Sequence, residues 1–357
     1  MKFILQLTTV LLCALMEILP VTTQRAYAAT EWDGPTAGPP KQHGKKVLFI
    51  SQDFRNGGIS AAYRGFFLAA LELGWDVGIV DGKNDAQTIR TRFAAAVQSH
   101  QDAIVVGGFQ VDAFMDMVEL ARKSNIVLVG WHAAAEPGPT RELFVNVATE
   151  SAEVARMAAD YAIRSSDGNI GAVIFSDNRF AVANAKTGRM KEIIERCKRC
   201  KVLEVENIPI SDANREVPLA VPRLDKKYGK AWTHTLAIND VYFDSMNVPL
   251  MTAGRQDIRN ISAGDGSNIA LGRIGSGQSQ QLATVAEPTG VQGWQMADEL
   301  NRAFAGKSPS GYVSKPILVT TASLSRLGNA DIDADIPYKA AYRAIWEGKP
   351  LARQGVE

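Results

Sequence analysis

The chain is short of cysteine, of histidine and of any surplus of charge. It has three cysteines and four histidines in 357 residues; the one pair at a metal-ligand spacing, Cys197-Lys198-Arg199-Cys200, has no second such pair, and a local staple is expected there ahead of redox or metal chemistry, so no metal centre is assigned. Lys and Arg number 39 against 38 Asp and Glu. Without a basic surplus, neither nucleic acid nor an anionic membrane surface is implied as a partner. A nucleophile elbow and a phosphate loop are both missing. The one Gly-x-Gly, Gly275-Ser276-Gly277, lacks the third glycine and the preceding strand of a dinucleotide site, so no cofactor is expected.

What is present begins with an export signal. Lys2 is followed by an apolar stretch from Phe3 to Leu19, interrupted by Gln6, two threonines and Glu17, and then by the small-x-small sequence Ala26-Tyr27-Ala28. This reads as a signal peptide of residues 1–28, too interrupted to span a membrane. Leu12 precedes Cys13, where a lipid-anchor signal needs a small residue. Removing residues 1–28 takes away Lys2, Arg25 and Glu17 and leaves acids and bases in balance. The remaining cysteines, Cys197 and Cys200, are expected to pair in an oxidising compartment. Their motif follows a helical run and precedes a strand, the reverse of the order thioredoxin-like chemistry uses.

From Val47 the chain alternates short apolar runs with helical patterns. Strands are expected at Val47–Ser51, Val77–Val80, Ala103–Val106 and Ile126–Val129. A second series is expected at Gly171–Phe175, Val202–Val205, Leu236–Ile238, Ile261–Ala263 and Ala283–Ala286. Ile59–Leu73 has helical periodicity and Gly74 stands where a left-handed C-cap belongs. Alternation of this kind predicts an α/β protein of two doubly wound parallel-sheet lobes, joined near Val147-Ala148-Thr149. Residues 29–44, rich in proline and glycine, read as an extended arm. Pro218 and Pro222 predict an irregular helix, and Ile336 to Trp346 a helix that packs across the lobes.

In open parallel sheets ligands bind beyond the carboxyl ends of the strands. The candidates there are Asp53, Phe54 and Arg55, then Phe109, then Trp131 and His132, then Asn239, Asp265 and Glu287. Carboxylates and amides make paired hydrogen bonds to vicinal hydroxyls, and aromatic faces cover the C–H side of a ring, so the set suits a sugar or polyol. Asp53, His132 and Glu287 include acid–base groups, but no spacing among them is diagnostic of a glycosidase, and no catalytic residue is assigned.

Three segments carry a resemblance: Leu236-Ala237-Ile238-Asn239-Asp240, Ser262-Ala263-Gly264-Asp265-Gly266 and Ala283-Thr284-Val285-Ala286-Glu287-Pro288. They resemble the ribose-type (type I) periplasmic binding proteins of carbohydrate transporters, over nearly all of residues 45–322. The resemblance implies Asn239 and Asp265 as ligand residues and places Asn184 near the family's second-lobe arginine. It also implies a first lobe of residues 45–148 plus 288–316 and a second of 149–287 plus 317–357. Glu287 replaces a glutamine, Trp131-His132 replaces an aspartate-arginine pair, and Gly57-Gly58 replaces an aromatic pair, so ribose itself is not implied. Closer likeness is to sugar-transporter binding proteins with a leading Trp-Asp-Gly-Pro-Thr, here Trp32 to Thr36. The implied function is a periplasmic solute-binding protein, monomeric, that closes by a hinge on its ligand and docks on an ABC transporter permease in the inner membrane. A periplasmic sensor presenting the closed form to a chemoreceptor or kinase would use the same site.

Overall fold

The computed structural model describes residues 31–328 and 330–351; the expected signal peptide, its cleavage site and Cys13 lie outside them. The first series of apolar runs forms β1 (Lys46–Ser51), β2 (Asp76–Asp81), β3 (Ala103–Gly107), β4 (Val127–Trp131) and the short β5 (Val145–Val147). Between them run α1 (Gly57–Leu73), α2 (Ala86–Gln98) and α3 (Met115–Lys123). All neighbouring strands are parallel, in the order β2-β1-β3-β4-β5. Alternate residues of each strand face opposite sides. Val47, Phe49, Ala103 and Val105 pack with α1, while Ile50, Ile104 and Val106 pack with α2 and α3. Gly74 ends α1 in the left-handed conformation.

The second lobe follows the same logic. Its helices and strands are α4 (Ser151–Ser165), β6 (Ile170–Ser176), α5 (Ala181–Arg196), β7 (Cys200–Asn207), α6 (Ala213–Tyr228) and β8 (His234–Ala237). Then come α7 (Val241–Asp244), α8 (Asn247–Thr252), β9 (Arg259–Ser262), α9 (Asn268–Ser276) and β10 (Gln281–Ala286). The chain returns to the first lobe as α10 (Thr289–Phe304), crosses again to β11 (Ile317–Thr320) and α11 (Thr321–Leu327), and ends with α12 (Tyr338–Trp346). The second sheet is ordered β11-β10-β9-β8-β6-β7, parallel except for β11. Cys197 and Cys200 are joined as a disulfide at the start of β7.

Two expectations are corrected. The helix carrying Pro218 and Pro222 is continuous from Ala213 to Tyr228. Its buried stripe, Ala213, Val217, Ala220, Val221 and Leu224, holds it on the core, while Pro222 and Asn214 lie on the exposed side. There the Asn214 carbonyl, four residues before Pro218 and so left without an N–H, can reach water. Of the tail expected in the second lobe, 317–357, only β11 and α11 stay there. Tyr338, Tyr342, Ile345 and Trp346 of α12 enter the first lobe's core, where Trp346 stacks on Trp294 of α10 at 5.4 Å. Apolar spacing of four, seven and eight along α12 builds that face. Four segments therefore pass between the lobes among the described residues: 148–150, 287–288, 313–316 and 330–337.

Candidate ligand site between the lobes

The carboxyl ends of the two sheets face each other across a cleft. At its base is a chamber of about 100 Å³ lined by Gln52, Asn56, Gln110, Trp131 and His132 from the first lobe. From the second come Phe180, Lys186, Asn239 and Asp265. It opens into a vestibule of about 380 Å³ that shares Gln52, Asn56, Phe180, Asn239 and Asp265 with it. A larger cavity, about 670 Å³, lies between α1, α9 and the segment leading to α12. It is a gap between helix faces where few strand tips converge, so we place the ligand chemistry in the chamber.

Asp265 is positioned by its neighbours. A Cβ at Gly264 would lie 2.4 Å from the Ser262 hydroxyl and 2.6 Å from the Asp240 nitrogen. Gly266 adopts a φ of +75°, and a Cβ there would meet Ala286 at 2.4 Å. Only glycines fit on either side. Asp240, buried, receives the Gly266 N–H at 2.8 Å, the Thr284 hydroxyl at 3.2 Å and the Gln281 amide at 2.7 Å. The loop is thereby fixed, and Asp265 Oδ2 accepts from Asn239 Nδ2 at 2.8 Å. Asn239 also accepts the Val241 N–H through Oδ1 at 3.0 Å, so it holds the start of α7 and orients Asp265 together. Burial raises the Asp265 pKa, Lys186 and His132 oppose that rise, and Glu287 and Asp240 add to it.

Across the chamber, Trp131 ends β4 and donates its indole N–H to Gln292 Oε1 at 2.8 Å. His132 turns the chain with a φ of +47°, an uncommon conformation for a residue with a side chain. Its ring meets Trp131 edge-on at 4.6 Å, and its Nε2 lies 3.5 Å from Glu287 Oε1.

Glu287 does not line the chamber. It is fully buried behind His132, accepting the Thr149 hydroxyl at 2.8 Å and the Gln292 amide at 2.8 Å. Burial works to raise its pKa, but the electrostatic influence of neighbouring His132, with Lys186 and Gln292, outweighs burial and lowers it to about 2. Gln292 also donates to the Ser314 hydroxyl at 3.2 Å. Thr149, Glu287 and Ser314 stand on three different crossovers, so this buried network knots the crossovers together and touches the chamber wall through Trp131 and His132.

Other candidates fall outside the chamber. Phe109 is buried against Phe114 at 5.0 Å in the core beneath α2 and α3. Phe54 packs on Phe49 and Tyr63. Asn184 is exposed and donates to the Asn178 carbonyl. Asp53 and Arg55 reach the vestibule, where Arg55 chelates Asp53 and holds its carboxyl below the usual range.

Lys186 was not foreseen. It is 5% exposed, lines the chamber, and donates to the Ala263 carbonyl at 2.8 Å. The signal was there: Ala183, Lys186, Met190 and Ile194 form the buried stripe of α5, and a lysine on such a stripe needs a polar reason.

A family model described as a periplasmic binding protein domain matches residues 47–308. The chain belongs to the periplasmic binding proteins. No curated protein matches this binding protein in sequence. Its fold is that of sugar-transporter solute-binding proteins of known structure. One, from Agrobacterium vitis with bound allitol, gives a TM-score of 0.68 at 16% identity, covering 79% of this chain and 97% of that one. A second, from Bacillus halodurans C-125 with bound myo-inositol, gives 0.67 at 16%, covering 82% and 98%. The 5-methylthioribose transporter solute-binding protein from Thermotoga lettingae TMO gives 0.70 at 17%, covering 87% and 100%. At these identities the likeness is one of fold.

Proposed function

We propose that this binding protein is exported to the periplasm and encloses a neutral sugar or polyol between its lobes. It then presents the closed form, as a monomer, to an ABC permease of the inner membrane. The observation that carries the reading is convergence: Gln52, Asn56, Gln110 and His132 from one lobe face Lys186, Asn239 and Asp265 from the other across one chamber. A ligand there touches both lobes, and contacts made only when they meet favour the closed arrangement.

Charge argues for neutrality. Lys186 stands against Asp265 in the chamber wall, so a charged ligand would lack its own counter-ion. Asp265 receives hydroxyl protons, Lys186 and the amides serve hydroxyl oxygens, and Trp131 and Phe180 cover the C–H faces. Allitol and myo-inositol, named for two proteins of this fold, have this chemistry. A micromolar complex corresponds to about −8 kcal/mol, within reach of several such bonds after ordering costs. The solute leaves unchanged, and no cofactor takes part.

Calorimetric titration with allitol, myo-inositol, L-arabinose and D-galactose tests the reading. Saturable binding of one of them, with the solute recovered intact, supports it. Turnover of the bound sugar, or binding only of charged solutes, sinks it.

A further inference from the structure

We propose that the leading segment Trp32 to Thr36 is a clip that immobilises the third crossover, residues 313–316, which makes Trp32 and Asp33 positioning residues for movement between the lobes. This adds to the receptor reading and does not depend on which solute is bound.

The Trp-Asp-Gly-Pro sequence folds on itself in a way that explains its spacing. Trp32 donates its indole N–H to the Pro35 carbonyl at 2.9 Å and lies over Gly34, where a Cβ would come within 2.1 Å of the ring. The indole then wedges between Tyr312, at 5.4 Å, and Tyr342 of α12, at 5.3 Å. That lodges the segment on the first lobe. With Trp32 anchored, Asp33 projects to the crossover: Oδ1 accepts from the Tyr312 hydroxyl at 3.2 Å, and Oδ2 pairs with Lys315 Nζ at 2.6 Å.

The rest of the crossover is already held to the first lobe. Gln295 donates to the Tyr312 carbonyl at 2.8 Å and Gln292 to the Ser314 hydroxyl at 3.2 Å. Because Asp33 adds Lys315, the chain is tied up to that residue, and β11 of the second lobe begins at Ile317. Bending is left to Pro316 and its two peptide links, and the proline ring fixes φ. The arm thus shortens the hinge at this crossover to about one residue and limits how far the lobes can swing. An exposed ion pair adds little to stability by itself. Its effect here is on where the chain bends.

The test is the interlobe distance distribution of the ligand-free protein without residues 1–28, from nitroxide pairs at Asn84→Cys and Asn214→Cys, on opposite rims of the vestibule, with Cys197 and Cys200 kept as the disulfide. Releasing the clip with Trp32→Ala plus Asp33→Asn is expected to widen the distribution or lengthen its mean by about 3 Å or more, one residue's reach. Asp33→Glu, which keeps the carboxylate, should retain the native distribution. Asp33→Asn alone leaves the Trp32 packing intact and carries the test if the double variant does not fold; it should broaden the distribution in the same direction. Distributions that superimpose for wild type, Asp33→Asn and the double variant overturn the proposal. So does equal broadening by Asp33→Glu and Asp33→Asn.

Discussion

Glu299→Gln should make the protein more stable at pH 8 and leave it unchanged near pH 4. Glu299 lies on α10, fully buried, and accepts the Ser310 N–H at 3.0 Å and the Ser310 hydroxyl. Burial raises its carboxyl pKa from 4.5 to about 7; the Ser310 bonds oppose the rise and Asp298 adds to it. The native state therefore holds a proton that the unfolded chain has released. Stability from this group is complete below the unfolded value of 4.5 and is lost as pH rises toward and through about 7. The interval between the two values corresponds to about 3 kcal/mol. Glutamine keeps the shape and an acceptor for Ser310 but cannot ionise, so it is spared the loss. Urea unfolding of wild type and variant at intervals from pH 4 to pH 8.5 reads the difference directly. The gap should be near zero at pH 4, open between pH 5 and 7, and level off near about 3 kcal/mol in favour of the variant. A gap that does not vary with pH, or one favouring wild type at pH 8, would refute the reasoning.

Asp265→Ala should abolish the stabilisation of about 2.7 kcal/mol that a solute gives at a hundredfold its Kd, with little change in the unliganded Tm. Thermal shift checks both, and an equal fall without solute would make Asp265 a turn residue only. Lys186→Met should weaken solute binding at least tenfold, about 1.4 kcal/mol, while Asn184→Ala leaves it unaltered, as read by titration calorimetry. Trp131→Phe removes the donor to Gln292 and leaves a buried amide oxygen unpaired, at a cost of about 1–3 kcal/mol in urea unfolding; a midpoint within error of wild type would show that the knot tolerates the gap.

The nine short apolar runs were legible as strands because parallel strands covered on both faces read as continuous hydrophobic sequence. β5 has Asn146 at its centre and offers no continuous apolar run, and β11, Ile317–Thr320, is antiparallel and lies outside the strand–helix alternation. The Gly-Asp-Gly turn was legible for the same reason it works, since its glycines have no side-chain alternative. Glu287 follows a strand, as ligand residues do, yet it is buried among the crossovers. Whether a carboxylate at such a tip faces the cleft or the crossovers depends on Thr149 and Gln292, both remote in sequence. Phe109 likewise turns into the core against Phe114, a contact that strand-end position does not encode. Lys186 lay on a helix, away from the strand tips where ligand residues were sought. Propensity alone breaks α6 at its prolines, and tertiary burial of the opposite stripe overrides it.

The last helix packs on Trp294 and the arm lodges on Tyr312 and Tyr342, so both described ends of the chain belong to one lobe. A pair of fluorophores fused to those ends would travel as a single body and report nothing when solute is captured. A sensor built from this protein needs one of its reporters inserted within the other lobe, for instance beside the exposed Lys230 in the turn after α6.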